Sequence, residues 1–173
     1  MSRTRLMDTL KYIAGYPEHV IEQVRQLIKN EKLSVYLHNK YPDAHQINNE
    51  KALYDYVQRL KNRYIKQASP ISKVNFDPKL QLVKQALGTH TFVSRVQGGK
   101  LKAKKEIRIA SLFKDAPAAM LEMIVVHELA HLKEKNHDKA FYKLCCYMQN
   151  DYHQVEFDTR LYLIAIDLGL DLN

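Results

Sequence analysis

Along the first seventy residues the apolar positions recur every three or four places, the spacing that builds one buried helix face. Val20, Val24, Leu27 and Ile28 make such a stripe over 17–30, with Pro17 suited to a first turn and Glu18 to the positive helix N-terminus. Leu33, Tyr36 and Leu37 predict a short second helix that stops before Tyr41-Pro42, because a residue ahead of proline avoids the helical region. Asn48 or Asn49 then caps a third helix whose face is Leu53, Tyr56, Val57, Leu60 and Tyr64, and Pro70 closes it.

Beyond residue 70 the texture changes. Segments 73–76 and 81–96 are short mixtures of apolar and polar residues with β-branched side chains, and Gly98-Gly99 punctuates them. Ile107, Ile109, Ser111 and Phe113 alternate, so 89–96 and 104–112 read as two antiparallel strands around a Gly-Gly loop. Asp115 is the expected N-cap of the next helix, with Pro117 just inside it. That helix should run to residue 135; it is apolar nearly all round and therefore belongs at the centre of a core. Helices over 138–148, with Phe141, Leu144 and Cys145 inward, and over roughly 155–168 follow. Strands followed by a run of helices predict an α+β domain. It is expected to be single over 1–173, with a helical N-terminal region at 1–70 and the core at 71–173.

The composition narrows the class. Of 173 residues, 46% are hydrophobic and 27% charged, which is globular rather than disordered. No apolar run is long enough to cross a bilayer, since 116–132 is broken by Glu122, His127 and Glu128. The N-terminus lacks the apolar segment of a signal peptide, so a reducing cytoplasm is the expectation. The two cysteines, Cys145 and Cys146, are adjacent and read as small helix residues rather than a disulfide framework. Net charge is +8, an excess that attracts anionic ligands or nucleic acid. Its densest cluster is Lys100, Lys102, Lys104 and Lys105, which reads first as a solvated hairpin.

Inside the apolar helix lies HELAHLKEKNH, residues 127–137. His127 and His131 stand four apart, so both imidazoles leave one face of a helix and can share a single Zn²⁺. Glu128 is rotated away from the line joining them and can act as general base toward an activated water. His137 would lie about 9 Å further along a continuous helix, at 1.5 Å per residue, so it reaches the same metal only if the helix stops first. Lys133 and Lys135 suit a helix C-terminus, Asn136 tolerates the left-handed conformation, and Asp138 can cap the next helix. Three histidines leave a fourth position open, as in catalytic rather than structural zinc sites. With this composition HExxH arises by chance in about two percent of shuffled sequences, and a third histidine at one fixed place cuts that roughly twentyfold. A metal-free, hydrogen-bonded core cluster is the competing reading. Of the other candidates, Glu156 is an alternative third ligand made redundant by His137. His90 and His153 are lone histidines, Arg95 and Arg108 could bind a carboxylate or phosphate, and Tyr152 could stabilise an oxyanion.

The stretch VVHELAHLKEKNHDKAFYKL resembles the YgjP-like metallopeptidase family, a zincin group related to WLM and SprT-like domains. His127, Glu128, Leu129, His131, Leu132, Asn136, His137 and Phe141 fall on its HELxHLxxxNHxxxFW pattern, with Tyr142 where the family has tryptophan. The likeness covers roughly 85–155; segment 89–99 lacks the family's Trp-containing motif, and the chain has no Trp. Glu134 stands where metzincins require Gly, which excludes that group. The resemblance implies a zincin-like α+β fold, with the HExxH helix packed on a small antiparallel sheet. It also implies zinc ligands His127, His131 and His137, and Glu128 as base. The expected activity is zinc-dependent hydrolysis of a peptide or small-molecule substrate. Two alternatives keep the metal: a nucleotide or phosphate-ester hydrolase, and a nucleic-acid-associated protease using the lysines at 100–105. A metal-stabilised scaffold without activity is the non-enzymatic alternative. Nothing in the sequence speaks to oligomeric state.

Overall fold

The computed structural model describes residues 9–78, 80 and 105–172. Helix α1 spans Glu18–Lys29, α2 Leu33–Lys40 and α3 Glu50–Tyr64; strands β1 and β2 span Ile71–Asp77 and Lys105–Ala110. Helices α4, α5 and α6 follow at Ala118–Ala130, Lys139–Met148 and Tyr152–Leu168, with 3₁₀ turns at Leu10–Ile13 and Ser111–Lys114. The described residues divide into two compact units, one holding 9–42 and 154–172, the other the described part of 43–153.

In the first unit, α1 buries Val24 of the expected stripe together with Ile21, while Val20, Leu27 and Ile28 are half-buried, and α2 buries Leu33 and Leu37 as their spacing predicts. Asp158 is fully buried there among Tyr36, Lys40, Tyr41 and Gln154. In the second unit, Asn49 caps α3 by accepting from the Ala52 amide at 2.9 Å, and Leu53, Val57 and Leu60 form its buried face. They join Val74, Phe76, Ile107, Ile109 and Phe113 in a core centred on α4. Every residue of α4 from Met120 to Ala130 is buried except Glu122, as its all-round apolar sequence requires.

Three expectations change. The described sheet is β1–β2, and it is parallel, with Val74 opposite Ile107 and Phe76 opposite Ile109. The antiparallel expectation pairs 89–96 with 104–112 around a loop at Gly98-Gly99. Its strand at 89–96 lies outside the described residues, whereas 104–112 contains β2. Parallel pairing needs a crossover of a dozen or more residues, and 27 residues separate Asp77 from Lys105. The N-cap of α4 is Pro117, not Asp115. Asp115 instead closes the 3₁₀ turn through its amide to the Leu112 carbonyl, and the first α4 amide, Ala118, donates to the Asp43 carbonyl at 2.8 Å. A main-chain partner thus does what a capping side chain was expected to do. Finally, α4 ends at Ala130 rather than at residue 135.

Candidate metal centre

The early end of α4 is what assembles the site. His131 is its C-cap, and the chain turns at once, the Lys133 and Glu134 amides both donating to the Ala130 carbonyl. Leu132 is buried and anchors the turn. Among non-glycine described residues only Glu31 has positive φ, so Asn136 does not adopt the left-handed form expected of it; the reversal is made by the turn around Ala130 instead. Asp138 then starts α5 as anticipated, its Oδ1 accepting from the Ala140 and Phe141 amides at 3.0 and 3.1 Å. This fixes His137 immediately before a helix, folded back over the end of α4.

The three imidazoles converge. His131 Nε2 lies 3.0 Å from His137 Nε2, which lies 3.2 Å from His127 Nε2. Phe141 packs against all three rings, with centroid separations of 4.6–5.0 Å. His127 and Glu128 are buried at 3% and 1% exposure, while His131 and His137 are half-buried, so the cluster has a closed floor and an open side.

The remaining ring nitrogens set the tautomers. His131 Nδ1 lies 3.0 Å from the Glu134 carbonyl. A carbonyl only accepts, so Nδ1 carries the proton and Nε2 keeps its lone pair. His127 Nδ1 lies 2.8 Å from the Tyr152 hydroxyl, itself 1% exposed. With that hydroxyl accepting, His127 likewise offers Nε2. Burial pushes the His131 imidazole below the ordinary histidine range, partly opposed by the Glu134 hydrogen bond, and so favours the neutral form that metal binding needs.

The donor set fits a divalent transition metal. Three nitrogens bound at 2.0–2.1 Å in a tetrahedral arrangement lie about 3.3 Å apart, close to the separations of 3.0 and 3.2 Å observed. Among the described residues His127, His131 and His137 are the one group of three or more suitable side chains with ligand atoms all within 4.8 Å of one another.

Glu156 forms an ion pair with Arg160 one turn along α6. Arg108 pairs with Asp77 across the sheet at 3.5 Å. His90 and Arg95 lie outside the described residues, as do Lys100, Lys102 and Lys104. His153 is exposed, and its ring stands 5.2 Å from that of Tyr142. Tyr152, a candidate oxyanion stabiliser by sequence, has its hydroxyl engaged with His127 Nδ1. That contact joins residues 25 apart in sequence, and no local spacing signals it.

A family model described as YgjP-like, metallopeptidase domain, matches residues 16–158. The chain is 56% identical over 163 residues to the UTP pyrophosphatase of Escherichia coli (strain K12), covering 94% of this chain and 98% of that protein. No solved structure matches. The three-histidine centre and a family match over most of its length agree: the chain belongs to the YgjP-like family and is a hydrolase with a site for a divalent metal ion.

Proposed function

We propose that this protein hydrolyses a nucleoside triphosphate, with UTP as the leading substrate, to the monophosphate and pyrophosphate, using zinc held by His127, His131 and His137. The observation that carries this reading is the 56% identity, sustained over nearly the whole of both chains, to a protein that bears the name UTP pyrophosphatase. The charge agrees with it: net +8 overall, with Lys133, Lys135, Lys139 and Lys143 all exposed on the turn and helix that carry His137. The reading takes up the phosphate-ester alternative from the sequence and moves the peptide substrate to second place.

A bound zinc ion supplies Lewis acidity where the three Nε2 atoms meet. The protein supplies the rest. Glu128 follows His127 on α4 and is almost wholly buried; it takes a proton from the attacking water. The water oxygen bonds to the α-phosphorus as the bond from that phosphorus to the bridging oxygen breaks, and the electron pair leaves with pyrophosphate. The proton held by Glu128 can return to the leaving group. Tyr152 and the Glu134 carbonyl hold His127 and His131 in the tautomer that presents Nε2.

The test is product analysis by phosphorus NMR, with wild type beside Glu128→Gln. Equimolar UMP and pyrophosphate, lost in the variant and on chelation, are expected. Release of UDP and orthophosphate would place attack at the γ-phosphorus and overturn the pyrophosphatase reading. The family description favours a second reading, peptide hydrolysis at the same centre. Cleavage of an unstructured protein substrate, blocked by Glu128→Gln, with UTP left intact, would select it.

A further inference from the structure

Beyond the metal centre, a line of rings runs from His137 toward solvent. The Tyr142 ring stands 6.4 Å from His137 with the planes 34° apart, and the His153 ring stands 5.2 Å from Tyr142 with the planes 38° apart. His137 and Tyr142 are half-buried and His153 is exposed, so the line leads outward from the reacting centre. The chemistry at the three histidines uses neither Tyr142 nor His153.

We propose that Tyr142, flanked by His153, is the surface on which the substrate's nucleobase stacks. The proposal rests on the nucleotide reading and deepens it. A nucleoside triphosphate is polar and anionic at one end and flat and aromatic at the other, with one ribose between the reacting phosphorus and the base. With its phosphates at the three-histidine centre, the base must lie a short way off, on the path to solvent. A half-buried tyrosine gives a flat apolar face there without closing the path. Every base presents a π-face, so stacking supplies affinity whatever the base, and a neighbouring imidazole can add a hydrogen bond to one base edge. The Tyr142 ring also meets Phe141 edge-on at 5.2 Å and Tyr152 at 6.4 Å, contacts that hold it in place.

The experiment compares kcat/KM for UTP with kcat/KM for ribose 5-triphosphate, the same substrate without its base. Tyr142→Leu should lower this ratio about tenfold, the loss expected for one base–aromatic stack, mainly through KM for UTP. Tyr142→Phe keeps the ring and should keep the ratio within about twofold of wild type, which also guards against a folding defect in the leucine variant. If Tyr142 merely covers Phe141 and Tyr152, both substrates will suffer alike and the ratio will stay put; that result overturns the subsite while leaving the nucleotide reading standing. A phenylalanine variant that falls as far as the leucine variant would overturn stacking as the cause. Wild type that turns over neither triphosphate would overturn the nucleotide reading and the subsite with it.

Discussion

Among the described residues, the cluster around Asp158 and the three-histidine centre are wired differently. In the unit holding 9–42 and 154–172, Asp158 is completely buried. Its oxygens accept from Tyr36 at 3.0 Å, Tyr41 at 2.6 Å and Gln154 at 3.0 Å, and Lys40 pairs with it at 2.7 Å. Donors surround one acceptor, and the cluster closes on itself. At the end of α4 the arrangement is the reverse: Nδ1 of His127 and of His131 are held by Tyr152 and Glu134, and three Nε2 atoms are turned toward one point. Imidazole nitrogens converging in this way form a donor set that suits a metal cation. Burial of polar groups alone therefore does not mark a functional site; the convergence of metal-binding donor atoms on one point does.

The sharpest way to break the comparison is to remove one member from each cluster. His131→Ala should take metal content from about one ion per chain to background by elemental analysis, and abolish turnover, with the fold retained by circular dichroism. Glu128→Gln should keep the metal and lower kcat by about 10²–10⁴-fold, the range for loss of a general base. Retention of full activity by Glu128→Gln would remove that residue from the chemistry.

Asp158→Ala should do the opposite, leaving metal content at wild-type level and reducing stability. It strands two tyrosine hydroxyls and a lysine around a buried space. With Lys40 36% exposed, the cost should be about 3 kcal/mol, less than for a fully buried pair. In a domain of this size that is a fall of roughly 6–12 °C in Tm. Loss of metal in this variant would mean that the closed cluster supports the centre after all.

Tyr152→Phe sharpens the contrast. It removes one hydroxyl and scarcely changes the volume of a fully buried ring. Metal affinity should drop about 10–100-fold, the usual effect of removing a group that orients a ligating histidine, while Tm without metal shifts far less than in Asp158→Ala. Competition with a chromophoric chelator measures the first and differential scanning calorimetry the second. An unchanged metal affinity would reduce Tyr152 to a packing residue.

What could be read from the sequence follows the same division between local and distant contacts. The stripe Leu53–Val57–Leu60, the Asn49 cap and the Asp138 cap are all decided within a turn or two of chain, and all appear as expected. The pairing of His127 with His131 is equally local. The return of His137 was legible as a requirement, but its device was not: the expected left-handed Asn136 is replaced by a turn held on the Ala130 carbonyl and the buried Leu132. Strand direction failed for the opposite reason, because β1 and β2 are joined through a long intervening segment and no short-range pattern encodes parallel pairing. Tyr152 against His127 and Asp43 against Ala118 belong to that same class of distant contacts.

The smallest predicted effect concerns Glu122, a half-buried carboxyl outside both clusters. Glu122 is the one half-exposed residue between Met120 and Ala130 on α4. Burial raises its pKa first, and the neighbouring charge of Asp151 raises it further, with Arg63 opposing. A carboxyl whose pKa is raised on folding binds its proton more tightly in the native state. Its contribution to stability is therefore most favourable below the unfolded pKa and is lost as pH rises through the folded one. At neutral pH the ionised group is a net cost, reduced by its partial exposure to solvent. Glu122→Gln should accordingly stabilise the protein at pH 7 by about 0.5 kcal/mol, or 1–2 °C in Tm, and the gain should shrink toward zero below pH 4. A destabilisation at pH 7 that faded on acidification would reverse the sign and show that Glu122 is held by Arg63 as an ion pair.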